Sequence, residues 1–167
     1  MAEKAEELKS EKIQLVIFRL GDEEFGVDIS SVKEIVEVGI ISSIPEAPSF
    51  ILGVTNLRGQ VIAVVDLAKQ FGHASQENLP ETAKIVVTEV HGQKVGMLVD
   101  EVPEIVKISK ESIEPTPELI QSELQKDYIQ GVGKLERRLI IFLNLEKVLA
   151  PHEVNEVVKV SQPASIE

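Results

Sequence analysis

The segment GVTNLRGQVIAVVD, residues 53–66, carries the strongest fold signal in the chain. Two runs rich in apolar and β-branched residues, 53–57 and 60–66, are separated by the dipeptide Arg58-Gly59. β-branched side chains pack well on a pleated sheet, and Gly in a short connection is typical of a hairpin turn. The segment therefore predicts a strand, a tight turn and a second strand.

The same pattern recurs along the chain. Hairpins are predicted over 13–28, 84–100 and 128–145, and the composition of 22 Val and 18 Ile against 15 Leu favours strands throughout. No strand–helix alternation is visible, which argues against a doubly wound parallel sheet. No fixed-period repeat is visible either, although hairpins occur in both halves. The fold class is all-β with nine or ten short strands, arranged as two small barrels or one sandwich.

Helices are predicted to be few and short. Ser31 followed three residues later by Glu34 matches a capping box and predicts a helical turn that begins at Ser31. Residues 146–150 are predicted to be helical and to stop at Pro151. Pro103 is predicted either to interrupt the strand that follows it or to lie on a sheet edge.

The two ends of the chain look different from its centre. Residues 1–12 are predicted to be a flexible polar tail, and residues 151–167 a tail or a short amphipathic helix. The N-terminus has no apolar stretch typical of a signal peptide. The longest apolar runs are far shorter than the roughly 20 residues of a membrane-spanning helix. The sequence predicts a soluble, cytoplasmic protein.

Composition excludes several classes of function. The chain has 28 acidic against 17 basic residues, a net charge of −11, whereas nucleic acids and anionic membranes need a basic face. It has no Cys, which excludes disulfides, thiolate nucleophiles and Cys-based zinc sites. Aromatic residues make up only 4%, so a stacking platform for bases is not expected.

No pattern of catalytic or metal-binding residues emerges. His73, His91 and His152 are predicted in a loop, a turn and a tail, without the spacing of a metal site. Asp66 and Asp100 each end a strand, and they are either capping residues or, in an alternative enzyme hypothesis, an acid–base pair. We predict no catalytic residue, no metal and no cofactor, and hence a protein that is not an enzyme.

The hairpin over 53–66 also contains residues that are candidates for binding. Asn56 and Gly59 suit the turn itself, and Gly53 suggests a close approach of two backbones. Arg58 is not required by the turn and offers a planar fork for a carboxylate. Glu34, an acid inside an apolar segment, is its natural partner, so we predict that Arg58 and Glu34 contact each other.

Four stretches of the chain resemble the CheW-like domain family. They are FRLGDEEFGVDISSVKEIVEV (18–38), APSFILGVTNLRGQVIAVVDL (47–67), VGMLVDEV (95–102) and YIQGVGKLERRLIIFLNLEKVL (128–149). The resemblance covers residues 13–150 in the family's order. One departure is Ala63, where the family often has Pro.

The resemblance implies a fold of two five-stranded SH3-like β-barrels packed around a shared hydrophobic core, in agreement with the strand count. It implies an adaptor that couples transmembrane chemoreceptors to the histidine kinase CheA. The expected partners are the regulatory domain of that kinase and the cytoplasmic tip of methyl-accepting chemoreceptors, with recruitment to membrane arrays through these partners. The alternative is a CheW-like adaptor of a non-chemotactic receptor–kinase array.

The resemblance also suggests which residues bind the receptor. Val32, Glu34 and Arg58 match family positions associated with receptor coupling. Further contacts in a groove between the barrels are predicted for Ile35, Val102 and Ile105. The resemblance assigns no residue to the kinase-facing surface.

Overall fold

A computed structural model describes residues 11–71, 79–115, 128–149 and 151–161, and strands predominate in it. The strands are β1 (Lys12–Leu20), β2 (Glu23–Asp28), β3 (Val32–Glu37), β4 (Ile51–Leu57), β5 (Gln60–Asp66), β6 (Lys84–Val90), β7 (Gln93–Val99), β8 (Glu101–Ser109), β9 (Ile113–Glu114), β10 (Ile129–Leu135) and β11 (Arg138–Leu143). The α-helices are α1 (Leu67–Gln70) and α2 (Pro151–Ser161), and single 3-10 turns occupy Ile29–Ser31, Lys110–Ser112 and Leu145–Lys147. The predicted N-terminal tail lies outside the described residues apart from its last two.

The strands form two sheets, which confirms the all-β fold with two subdomains. One sheet has the order β3-β6-β7-β5-β4 and the other the order β8-β1-β2-β11-β10-β9. The predicted hairpins are all present as antiparallel pairs. In each sheet two hairpins are joined by a parallel pair, β5 with β7 and β2 with β11, which hairpin patterns alone do not predict.

The two sheets are built alike. The order β3-β6-β7-β5-β4 matches β8-β1-β2-β11-β10. The five-stranded sheet is built from the continuous segment β3–β7, and the six-stranded sheet joins β1 and β2 to β8–β11. The sixth strand, β9, pairs Glu114 with Val132 of β10. Its counterpart in the five-stranded sheet is the isolated bridge between Ser42 and Val54 of β4. Each subdomain is therefore a five-stranded unit with a short bridging segment.

Burial on both faces explains the continuous apolar runs. On β5, Ile62 and Val64 face the interior of the five-stranded subdomain. Ala63 and Val65, which alternate with them, face a core that residues of both sheets share. A strand that is buried on both faces reads as a continuous apolar run, which is the pattern seen over 61–65.

The predicted helical turn at Ser31 is wrong. The turn occupies Ile29–Ser31, because Asp28 Oδ1 accepts a hydrogen bond from the Ser30 backbone N–H at 2.9 Å and starts the turn two residues earlier. The residues that follow, Val32–Glu37, pair with β6 as a strand. Their β-branched side chains favour this pairing over a helix.

The predicted helix stop at Pro151 is also wrong, because Pro151 is the first residue of α2. Proline suits this position, since the first turn of a helix leaves its N–H groups without intrahelical partners. Of the segment predicted to be helical before it, the 3-10 turn Leu145–Lys147 overlaps only the start. Helix α2 buries Val154 and Val157 in the shared core.

Pro103 follows the second of its two predicted alternatives. It lies within β8, an outer strand, so its missing N–H removes no bond from a central ladder. The register between β1 and β8 shifts there: Ile17 pairs with Glu104, and Arg19 pairs with Glu101. Two residues of β8 thus oppose one residue of β1, which is a β-bulge.

Gly53 provides a test of the close approach that positions β4. A Cβ atom at Gly53 would collide with the backbone oxygen of Ser42, which accepts a 2.9 Å hydrogen bond from Val54. We expect Gly53→Ala to lower the free energy of unfolding by about 1–3 kcal/mol, as measured by chemical denaturation. Gly39→Ala, which adds a methyl group in open space, is the control. Equal stability of the two variants would contradict this account.

Candidate protein-binding site

The β4–β5 hairpin places Arg58 at its tip. Asn56 Oδ1 accepts a hydrogen bond from the Gly59 backbone N–H at 2.8 Å, which fixes the turn. Both turn residues have positive φ, 51° at Arg58 and 87° at Gly59, as in the primed turns of tight hairpins. The turn fixes the backbone while leaving the Arg58 side chain 78% exposed.

Arg58 and Glu34 make the predicted contact. Arg58 Nη1 donates to Glu34 Oε2 at 3.1 Å. Glu34 lies on β3, one outer strand of the five-stranded sheet, whereas Arg58 follows β4, the other outer strand. A contact between opposite edges requires the sheet to curl until the edges approach each other, as in a barrel.

The two side chains of the ion pair differ in their exposure to solvent. The Glu34 side chain is 21% exposed, and its second oxygen, Oε1, is buried with no hydrogen-bond partner among the described residues. The guanidinium group of Arg58 keeps most of its N–H groups in solvent. A guanidinium group held by one carboxylate can still bind a second carboxylate in a bidentate manner.

The other predicted receptor-binding residues lie beside the shared core. Val32 and Ile35 on β3, and Val102 on β8, are partly buried and pack against that core. Ile105, also on β8, is 50% exposed. The structure therefore places four of the six predicted residues on the five-stranded subdomain and the pair Val102 and Ile105 on the outer strand of the other sheet.

An apolar groove beside Arg58 was not predicted from the sequence. It has a volume of about 300 Å³ and is lined in part by Val36, Leu57 and Ile85. At its rim Ile40 is 86% exposed, and its backbone oxygen accepts a 2.8 Å hydrogen bond from the Thr55 hydroxyl. A single exposed isoleucine after a strand carries no recognisable sequence signal, so only the fold shows this groove.

A second arginine that the sequence analysis did not single out is Arg138. Its Nε and Nη2 atoms donate to the two oxygens of Glu24 at 2.9 and 2.7 Å, and its Nη1 atom donates to Glu104 at 3.1 Å. The side chain is 32% exposed. Arg138 thus links β11 to both β2 and β8.

The two aspartates of the enzyme hypothesis both accept hydrogen bonds from backbone N–H groups. Asp66 Oδ1 accepts from the Lys69 N–H at 3.3 Å and caps α1, which confirms the capping alternative for Asp66. Asp100 Oδ2 accepts from the Gly21 N–H at 2.8 Å and holds the β1–β2 turn. They belong to different hydrogen-bond groups, so the structure gives no support to an acid–base pair.

Of the three histidines, only His91 is described with its side chain, and it lies in the β6–β7 turn with a φ of 49°. His73 and the side chain of His152 lie outside the described residues. Among the residues that the structure describes, no helix is long and apolar enough to cross a membrane.

Two fused β-subdomains, with an exposed arginine and half-buried apolar side chains on their outer strands, are features of an adaptor domain for protein–protein contacts. The profile of the CheW-like domain matches residues 14–163. The chain therefore belongs to the CheW-like domain family, and its function is that of a chemotaxis scaffold.

Individual relatives agree with the family match. The chain is 38% identical to a probable chemotaxis protein CheW of Rhizobium etli, over 84% of this chain and 89% of the relative. It is 36% identical to the chemotaxis protein CheW of Rhizobium meliloti, over 92% of this chain and 97% of the relative. The crystal structure of the scaffolding protein TtCheW from Thermoanaerobacter tengcongensis is similar at a TM-score of 0.75 and 36% identity, covering 84% of this chain and 89% of that one.

The geometry of the two arginines predicts different contributions to stability. A double-mutant cycle with Arg58→Ala and Glu34→Ala should give a coupling free energy below about 1 kcal/mol, because the arginine is mostly exposed. The cycle with Arg138→Ala and Glu24→Ala should give a larger value, because that pair is bidentate and less exposed. Unfolding free energies of the single and double variants provide the measurement. A coupling for Arg58 equal to or above that of Arg138 would refute the assignment.

Proposed function

We propose that this chain couples the cytoplasmic tips of chemoreceptors to the histidine kinase CheA, as a scaffold without catalytic chemistry of its own. The observation that carries the proposal is Arg58, held at a hairpin tip by one hydrogen bond to Glu34 and otherwise open to a partner. Relatives of similar length that are named chemotaxis proteins and a scaffolding protein of the same fold support it.

The proposed receptor surface combines charge with apolar contacts. Arg58 and Glu34 form its polar part, and Val32 and Ile35 on the same outer strand form its apolar part. Recognition of a helix in a groove requires such apolar anchors with a polar rim. The groove beside Leu57 and the exposed Ile40 extends the apolar area next to Arg58.

Val102 and Ile105 extend the proposed surface onto the second subdomain. Val102 packs against the same shared core as Val32 and Ile35, so residues of both subdomains border the core from outer strands. A partner that contacts both strands would bind the two subdomains at once. Such a surface suits the cytoplasmic tip of a chemoreceptor, which is a helical hairpin in this family.

The proposed function implies a location of the protein in the cell and a role for its acidic surface. The adaptor would be cytoplasmic and recruited to membrane arrays through its partners. A net charge of −11 keeps such a scaffold soluble and away from anionic lipid and nucleic acid. No cofactor or metal is needed for this function.

Reversing the charge of Arg58 tests the receptor surface. Arg58→Glu would place two carboxylates together at the hairpin tip, and we expect receptor-tip binding to weaken by about tenfold or more while the fold stays intact. Titration calorimetry with a soluble receptor-tip fragment measures the affinity, and circular dichroism checks the fold. Arg137→Glu, the same charge change in the turn of the β10–β11 hairpin, is the matched control. Unchanged recruitment of Arg58→Glu to receptor arrays would rule the surface out.

Binding to the kinase tests the second half of the proposal. The isolated regulatory domain of CheA should retain the chain in a pull-down and bind it with a Kd of tens of micromolar or tighter, about the range of transient signalling contacts. A histidine kinase fragment without that domain is the control. No binding at tens of micromolar would refute the coupling role.

A further inference from the structure

The segment of β3 that carries Val32, Glu34 and Ile35, three of the proposed receptor-binding residues, has a counterpart on β8. Residues 32–36 read VKEIV and residues 102–106 read VPEIV. Their registers agree, because Glu34 pairs with Val87 of β6, and Glu104 pairs with Ile17 of β1, the strand in the equivalent place of the other sheet. Val102, Glu104 and Ile105 are thus the structural equivalents of Val32, Glu34 and Ile35.

Each of the two glutamates is bound by an arginine from a hairpin of its own sheet. Arg58 lies at the tip of the β4–β5 hairpin, and Arg138 is the first residue of β11 in the equivalent β10–β11 hairpin. In both pairs Nη1 donates to Oε2 of the glutamate at 3.1 Å. The described residues thus contain two arginine–glutamate pairs of similar geometry, each between a hairpin and an outer strand. Arg138 pairs with Leu135 as Gln60 pairs with Leu57, so it is not the positional equivalent of Arg58.

The two pairs differ in how much of the guanidinium group remains exposed for a partner to bind. Arg138 also makes two hydrogen bonds to Glu24 on β2, so three of its nitrogens are engaged within the chain. These hydrogen bonds raise the pKa of Arg138 and keep it charged. Its side chain is 32% exposed, against 78% for Arg58. Arg138 is therefore suited to hold the strand and poorly suited to bind a partner's carboxylate.

The strand that Arg138 holds needs such support. As an outer strand, β8 has only β1 as a neighbour, and its pairing is interrupted by the bulge at Pro103. Glu104 follows this bulge directly and precedes Ile105, which is half exposed. Through Glu104, Arg138 connects the strand to β2 and β11 next to the interruption.

We propose that Arg138 is a positioning residue of the receptor-docking surface, which holds β8 through Glu104 so that Val102 and Ile105 are presented to the partner. This inference rests on the proposed receptor function. It adds a residue that does not itself contact the receptor, and it assigns different tasks to the two related pairs.

Arg138→Gln tests the proposal, because it leaves Glu24 and Glu104 close together without the cation between them. We expect the affinity for a soluble chemoreceptor-tip fragment to fall by about threefold to tenfold at a temperature well below unfolding. Amide hydrogen exchange in β8 should become faster, while β5–β7 exchange as in the parent chain. Arg138→Lys, which keeps the charge but loses the bidentate geometry, should lie between the two. If Arg138→Gln proves too unstable to purify, Arg138→Lys alone tests both readouts against the parent chain.

Two controls separate positioning from a general loss of stability. Arg137→Gln removes the neighbouring, exposed arginine and should leave both readouts unchanged. Ile62→Val lowers stability from the interior of the other subdomain and should leave receptor affinity and β8 exchange unchanged.

The outcomes distinguish this inference from the proposed function. Parent-like receptor affinity or parent-like β8 exchange in Arg138→Gln would overturn the positioning role, as would an equal loss of affinity in Ile62→Val. If the parent chain itself fails to bind the receptor tip, the proposed function fails, and β8 exchange still decides whether Arg138 holds the strand.

Discussion

The hydrophobic core that the two sheets share is the constraint on which the structure depends. The five-stranded sheet is the continuous segment β3–β7, which lies between β2 and β8 in the chain, so the six-stranded sheet forms only when the segments on both sides of it come together. Residues of both sheets fill this core, so that central strands such as β5 are buried on both faces. A shared core of this kind favours a single cooperative unit over two independently folding domains.

The same arrangement leaves the candidate site on outer strands. An outer strand has one hydrogen-bonded neighbour, so its second edge and its ends are available to other groups. Here arginines from the hairpins form ion pairs with glutamates on those strands. Arg58 pairs with Glu34, and Arg138 pairs with Glu104. The central strands are rigid, and the outer strands carry exposed side chains at positions that the shared core fixes.

Sequence reasoning succeeded where the signal is local. The hairpin over 53–66, with its turn at Arg58-Gly59, follows from neighbouring residues. The glycine at position 53 predicts a close approach of two backbones, but it does not identify Ser42 as the partner. The parallel pairs join strands that are distant in the chain, so no local pattern predicts them. Two copies of a five-residue motif, VKEIV and VPEIV, define no period, so their relation appears only when the registers of β3 and β8 are compared. The short helix that was one alternative for residues 151–167 is present, but the helix predicted to end at Pro151 is not, because proline both ends helices and suits their first turn.

The comparison of the two arginine–glutamate pairs explains how a duplicated fold can acquire unequal surfaces. Both pairs hold an outer strand by the same 3.1 Å contact, but among the described residues only the second has an additional carboxylate, Glu24, within hydrogen-bond distance. Glu24 on β2 accepts hydrogen bonds from two nitrogens of Arg138, and the Arg138 side chain is only 32% exposed. On β7 the equivalent stretch places Lys94 rather than an acid next to the turn, and Arg58 keeps its exposed fork. Arg58 also lies in its turn, whereas Arg138 is the first residue of β11, so the position in the hairpin and the charge on the neighbouring central strand together make Arg138 structural and leave Arg58 available to a partner.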